Sequence, residues 1–257
     1  MPLTVATWNV NSVRAREERL LAWLAKAGPD VLCLQELKVT EDDFPFETLR
    51  EAGYHAAVLG QPAYNGVAIL SRTHPTEVGL GFDDGVDDRE ARIITAVVHD
   101  YLIASIYVPN GRTVGSDKWD YKLAWLERLA RFTADRLRPD AKLLLCGDFN
   151  VAPDDRDVAK PERWKDTVLC HPDGRAALAR STDAGLIDTI RMHHEGPGPY
   201  SWWDYRMLAF PKGDGLRIDH IFASETAARL CIDASIDRNE RKGEKPSDHV
   251  PVVALFD

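Results

Sequence analysis

Gly147-Asp148-Phe149-Asn150 places a carboxylate and a carboxamide two residues apart, directly after the apolar run Lys142–Cys146. In extended backbone both side chains project to one side. There they are expected to hold a single water, Asp148 as base and Asn150 setting its direction. The same residues also suit a plain turn, because Asp and Asn hydrogen-bond their own backbone. Other polar groups stand at comparable places far away in the chain. Asn9 ends the apolar stretch Thr4–Trp8, Glu36 follows Asp30–Gln35, Asp219 follows Leu216-Arg217-Ile218, and Asp248-His249 follows the turn Lys245-Pro246-Ser247. Glu36 offers oxygen to a hard divalent cation such as Mg²⁺, though alone it also reads as a surface glutamate opening a loop. An Asp219 carboxylate beside His249 would orient the imidazole and favour its cation, which stabilises developing negative charge. Taken together, oxygen and imidazole groups at several strand ends point to metal-assisted hydrolysis of a phosphodiester.

Strands and helices must deliver these groups. Short apolar runs at Thr4–Trp8, Asp30–Gln35, Val67–Leu70 and Lys142–Cys146 predict strands, the second and last buried on both faces. Arg92–Val98 and Leu102–Val108, joined at His99-Asp100, predict a hairpin. Further strands are expected at Leu216–Ala223, Arg229–Ile236 and Val250–Phe256, and amphipathic helices at Arg14–Lys26, closed by Gly28-Pro29, and Lys118–Leu137. Helices interleaved with strands, some paired as hairpins, indicate a layered α/β fold with two sheets. The acidic, irregular segment Asp154–His171 yields no reading.

Thr7-Trp8-Asn9-Val10-Asn11, Leu34-Gln35-Glu36-Leu37-Lys38, Ile106-Tyr107-Val108-Pro109-Asn110-Gly111, Gly147-Asp148-Phe149-Asn150, Ser201-Trp202-Trp203-Asp204-Tyr205-Arg206, Gly215-Leu216-Arg217-Ile218-Asp219 and Ser247-Asp248-His249 occur in this order along essentially the whole chain. In this set the chain resembles the exonuclease III branch of the endonuclease/exonuclease/phosphatase superfamily. The resemblance implies a four-layer αββα sandwich, two mixed β-sheets packed face to face with helices outside and the site at one end. It implies that Glu36, with Asn9 and Asp248 nearby, engages one or two Mg²⁺ ions, with Mn²⁺ able to substitute. Asp148 would activate the attacking water or protonate the leaving group, Asn150 would position it, and Tyr107 with the Asp219–His249 pair would contact the scissile phosphate. The implied activity is incision of duplex DNA 5′ to abasic sites, with 3′→5′ exonuclease and 3′-end processing.

The metal core does not choose a substrate, so outer loops must. Arg112, Lys118 and Lys122 place basic groups after Tyr107, and Arg206, Lys212 and Arg217 make a second basic loop around Trp202-Trp203. DNA-binding residues are therefore expected at Arg112, Lys118, Arg206 and Arg217. Trp202 is expected to wall a pocket for an extruded abasic sugar, and Trp203 to be core. His220 reads as a strand-edge histidine or a weak metal or phosphate contact. A formal net charge of −9 argues mildly against nucleic acid, whose binding rests on phosphate neutralisation, yet a carboxylate-rich metal site is acidic by necessity. A phosphoinositide or sphingomyelin phosphoesterase, or a non-catalytic nucleic-acid-binding relative, remain the alternatives. With no linker-like tract, one domain over residues 1–257 is expected. The four cysteines lack CxxC spacing and read as buried thiols in a reducing cytoplasm. No leader or membrane span is read, and a monomer is expected.

Overall fold

Side-chain alternation in β1 (Leu3–Asn9) and β2 (Val31–Gln35) decides how the layers stack. Val5, Val31 and Cys33 face a core shared with a second sheet, while Ala6, Trp8, Leu32 and Leu34 pack on Leu20, Trp23 and Leu24 of α1 (Glu17–Ala27). The computed structural model describes residues 2–257. After β2 come α2 (Phe46–Glu51), β3 (His55–Leu59), β4 (Val67–Ser71), β5 (Thr76–Leu80), β6 (Ile93–Val98), β7 (Tyr101–Tyr107), α3 (Asp117–Arg136) and β8 (Leu143–Asp148). The remainder is α4 (Pro161–Trp164), α5 (Pro172–Thr182), β9 (Leu186–Asp188), α6 (Thr189–His193), β10 (Asp219–Ser224), α7 (Glu225–Ala228), β11 (Cys231–Ile236) and β12 (Val252–Phe256).

The strands form two six-stranded mixed sheets, ordered β11-β12-β1-β2-β4-β3 and β5-β6-β7-β8-β10-β9. Between them lie Val5, Cys33, Ile69 and Ala254 from one and Ile94, Ile103, Leu144, Cys146 and Ile221 from the other. On the far side of the second sheet, Trp125, Leu126 and Leu129 of α3 and Leu178 of α5 cover Ile106, Leu143 and Leu145. This is the αββα sandwich. Each sheet holds one parallel pair, β1 with β2 and β7 with β8. The registers set Asn9 beside Gln35 and Tyr107 beside Asp148, and antiparallel β10 sets Asp219 opposite Asp148. Just beneath that end, Gln35 donates across the sheets to Ser105 Oγ at 3.1 Å.

Two sequence expectations change, and four elements appear that the sequence did not announce. Arg14–Lys26 divides into a short 3₁₀ turn at Arg14–Arg16 and α1, which ends on left-handed Gly28 donating to Leu24 O. The strand expected from Leu216 starts at Asp219, because Leu216 pairs instead with Val158 and Trp202 in isolated bridges. Strands β3, β5 and β9 carry no clear periodicity, and helix α5 buries mostly small residues, Gly174, Ala177, Leu178 and Ser181, with Gly174 in its first turn where a Cβ would come 3.1 Å from Trp119.

His220 is not at a strand edge; it is buried in β10, flanked by Phe149 and Phe222. Arg217 Nη1 lies 3.0 Å from its Nδ1, and its Nε2 lies 3.1 Å from Val151 O, which suits a neutral ring. Burial, then the Arg217 charge, push its pKa down to about 4. Between pH 4 and 6.5 the unfolded chain therefore binds the extra proton, so stability rises with pH across that window. His220 is expected to cost the fold about 3 kcal/mol as pH falls from 6.5 to 4. Urea unfolding along that range should show the slope, and His220→Gln should flatten it.

Candidate active site

Polar atoms from both sheets meet at the strand ends. Asn9 Nδ2 donates to Glu36 Oε1 and to Asp148 Oδ2, each at 2.9 Å, so one amide bridges the first sheet to the second. Tyr107 OH donates to the same Glu36 oxygen at 2.9 Å. His249 Nδ1 donates to Asp219 at 2.9 Å, and its Nε2 stands 3.8 Å from Asp148 Oδ2. Ser201 Oγ donates to Asp219 at 2.6 Å and accepts from the Asp219 backbone N–H, fixing that carboxylate from the other side. Ser247 Oγ donates to Asn9 O and accepts from His249 N, fastening the C-terminal turn to β1.

Asp148 and Asn150 converge, but not as neighbours on an extended strand. β8 ends at Asp148, and Asn150 takes a left-handed φ of +49°, which Asn tolerates. Its backbone N–H donates to Asp148 Oδ1 at 2.9 Å and its Nδ2 to Asp148 Oδ2 at 3.2 Å, while its Oδ1 accepts from Asn110. Gly147 is required just before them, because a Cβ there would lie 1.9 Å from Ile106 O on β7.

Burial and charge set the protonation. Burial raises the Asp148 pKa, the His249 charge opposes this, Asp219 and Glu36 add to it, and the result is about 7. For His249, burial disfavours the cation, but Asp219 and Asp148 outweigh it and lift the pKa to about 10. Glu36 is also pushed up by burial, yet the Lys38 ammonium at 2.9 Å and the Asn9 hydrogen bond bring it below the ordinary carboxylate range. Near neutrality the site thus holds an imidazolium, an ionised Glu36, and an Asp148 poised between its two forms.

Donor atoms of Glu36, Asp148 and His249 lie within 4.8 Å of one another. A protonated ring with Nδ1 committed to Asp219 is no ligand, so the donors that fit a divalent ion are carboxylate oxygens, as Mg²⁺ prefers. Of the residues expected to hold metal, Glu36 lies in this group. Asn9 lies beside this group, its amide nitrogen bridging Glu36 and Asp148 and its Oδ1 accepting from the Asn11 backbone N–H. Asp248 accepts from Trp202 Nε1 at 3.0 Å and from Asn11 Nδ2 at 2.9 Å, and reaches Glu36 through Asn11 and Lys38.

The outer residues divide. Arg112 and Lys118 are exposed along a cavity of about 200 Å³ with Tyr64, Arg92 and Asn110, next to Asn150. Arg206 is exposed and paired with Asp204. Trp202 is half-buried, edge-on to Trp164, with Trp203 in the core. Arg217 is a correction: its side chain is fully buried between Asp157 and Asp188, each at 2.7 Å, and touches no surface a strand of DNA could reach. Lys122 is likewise buried. Asn110, Ser201 and Lys38 escaped the sequence reading of roles, although each stands within a motif that was recognised.

Known proteins share this arrangement. The model of the endonuclease/exonuclease/phosphatase family matches residues 6–249. Exodeoxyribonuclease III of Haemophilus influenzae is 34% identical, over 97% of this chain and 98% of its own. An AP endonuclease from Archaeoglobus fulgidus superposes with a TM-score of 0.96 at 39% identity, covering 99% of both chains. A 3′ phosphatase from Neisseria, solved with a product DNA hairpin, gives 0.97 at 40% identity and the same coverage.

Arg217→Met would leave Asp188 buried without its main counter-charge. The expected cost is about 3 kcal/mol in urea unfolding, with affinity for a DNA duplex unchanged in a filter or fluorescence titration.

Proposed function

We infer the reaction from one premise: the chain belongs to the endonuclease/exonuclease/phosphatase family. It is a Mg²⁺-dependent DNA phosphodiesterase of base excision repair. It incises duplex DNA 5′ to abasic sites and removes nucleotides and blocking groups from 3′ ends. The observation that carries this is Asp148: a fully buried carboxylate held by Asn9 and Asn150, opposite the His249 imidazolium at 3.8 Å.

Hydrolysis needs a water aimed at phosphorus, a group to move its proton, and cover for the charge that builds up. Asn150 orients the water and Asp148 moves the proton, from the attacking water or to the leaving oxygen. Burial and the neighbouring carboxylates make Asp148 more basic than an ordinary aspartate, which suits it to take up a proton. His249, kept cationic by Asp219, faces the phosphoryl oxygens, and Tyr107 braces Glu36 beside them. Mg²⁺, replaceable by Mn²⁺, would be held by Glu36 beside Asp148, where it neutralises phosphoryl charge and acidifies water. Asn9 and Asp248 keep the surrounding hydrogen bonds in place.

Arg112, Lys118 and Arg206 meet the backbone of the duplex, and Trp202 walls the abasic sugar. A lipid phosphoesterase on this core would need a broad apolar face for the membrane, whereas Arg112, Lys118 and Arg206 surround this site and only Met207 and Leu208 add exposed aliphatic surface beside Arg206. A non-catalytic binder would have no use for the intact acidic set. Residues 1–257 work as one domain, since each sheet supplies half of the site. No helix among the described residues is long and apolar enough to cross a membrane, and we place the enzyme in the cytoplasm as a monomer.

A duplex carrying one tetrahydrofuran site decides among these readings. Nicking 5′ to the lesion with Mg²⁺, and none with EDTA, is the expected result. Release of phosphate from inositol lipids, or tight DNA binding without any cleavage, would overturn it. Asp148→Asn and Asp219→Asn are each expected to lower kcat by about 10²–10⁴-fold while duplex affinity in EDTA stays within a few-fold.

A further inference from the structure

Lys122 lies on α3 with no exposed surface, under the Trp119 ring. Its ammonium makes three hydrogen bonds, all to backbone carbonyls: Asn150 O and Val168 O at 2.7 Å, and Asn110 O at 3.2 Å. The three carbonyls belong to three separate stretches of chain, namely the turn after β7, the turn after β8, and the segment between α4 and α5. Burial drives the pKa of this lysine down, against the pull of Asp148 and Cys170, while three carbonyl acceptors demand all three protons of the ammonium. An apolar side chain would fill the same space without that penalty, so the contacts themselves call for an account.

Two of those contacts grip residues that shape the site. Asn110 Nδ2 donates to Asn150 Oδ1 at 2.9 Å, and Asn150 in turn holds both oxygens of Asp148. Lys122 therefore restrains Asn110 and Asn150 from behind by their backbones, while their side chains meet in front. The left-handed backbone at Asn150 needs such outside support. Gly111 lets the turn close down on the lysine, since a Cβ there would come 3.0 Å from Lys122 Cδ and 3.2 Å from Trp119. The third contact draws in the segment that carries Trp164, the indole against Trp202, and the same segment accepts Ala152 N–H at Leu169 O.

We propose that Lys122 is a positioning residue for phosphodiester hydrolysis, its ammonium locking the Asn110 turn, the Asn150 turn and the 154–171 segment into one frame around Asp148. This rests on the nuclease reading above. The 154–171 segment thereby closes the frame and seats Trp164 behind Trp202.

A double-mutant cycle on the Mg²⁺-loaded enzyme with the tetrahydrofuran duplex tests it. Lys122→Met is expected to lower kcat by about 10–100-fold, the scale of a small misplacement of reacting groups, with duplex affinity in EDTA within about threefold. In an Asn150→Ala background the same change should cost less than about twofold, because its effect passes through Asn150. Should the Met chain lose its folded circular-dichroism spectrum, Lys122→Arg enters the same cycle, its planar head unable to meet three carbonyls in that niche. A kcat within twofold of wild type, or an equal loss in both backgrounds, overturns the proposal. Wild-type nicking checks the nuclease reading separately: without it both fall, and with it the cycle decides on Lys122 alone.

Discussion

Carboxylates cannot crowd into a dry pocket without counter-charge, and this constraint organises the molecule. Glu36, Asp148, Asp219 and Asp248 gather where the two sheets end, and the nearest cations are His249 and Lys38. The carboxylates there outnumber the cations that touch them, which makes the end of the sandwich a place suited to a divalent ion. The imidazolium is the hinge of the arrangement, because it answers Asp219 and Asp148 at once.

Backbone geometry does the rest. Each sheet contributes one parallel pair, so the carboxyl ends of β1, β2, β7 and β8 all reach the same edge of the sandwich. Beyond that edge the chain bends abruptly: Glu36, Lys38 and Asn150 all have positive φ. Such conformations cost energy and survive where surrounding contacts over-determine them. Here the contacts are the Asn9 bridge, the Lys38 ion pair and the amide pair Asn110–Asn150. Functional groups thus hang on strained turns braced by a rigid core.

The central strands could be read directly, because long apolar runs with breaks at polar residues leave little choice. Edge strands β3, β5 and β9 could not, being short and partly solvated. Around the site, residue types at strand ends pointed to Glu36, Asp148, Asp219 and His249. Spacing alone suggested that an extended strand aligns Asp148 with Asn150, whereas a left-handed turn joins them. Arg217 and Lys122 were misread together, for one reason: basic side chains are normally exposed. Their partners are Asp157 and three carbonyls in turns and irregular segments, and Asp188 at the end of the short edge strand β9, none of which periodicity announces. Pairing across such distances becomes visible only once the chain has folded.

One bare backbone position governs how this surface can change over generations. At Gly147 the neighbouring strand's oxygen occupies the space where any other residue would begin its side chain. Every single-nucleotide change in that codon that alters the amino acid must therefore push β8 away from β7 and carry Asp148 off with it. A residue with no functional group of its own is thereby as closed to genetic drift as the carboxylate that follows it.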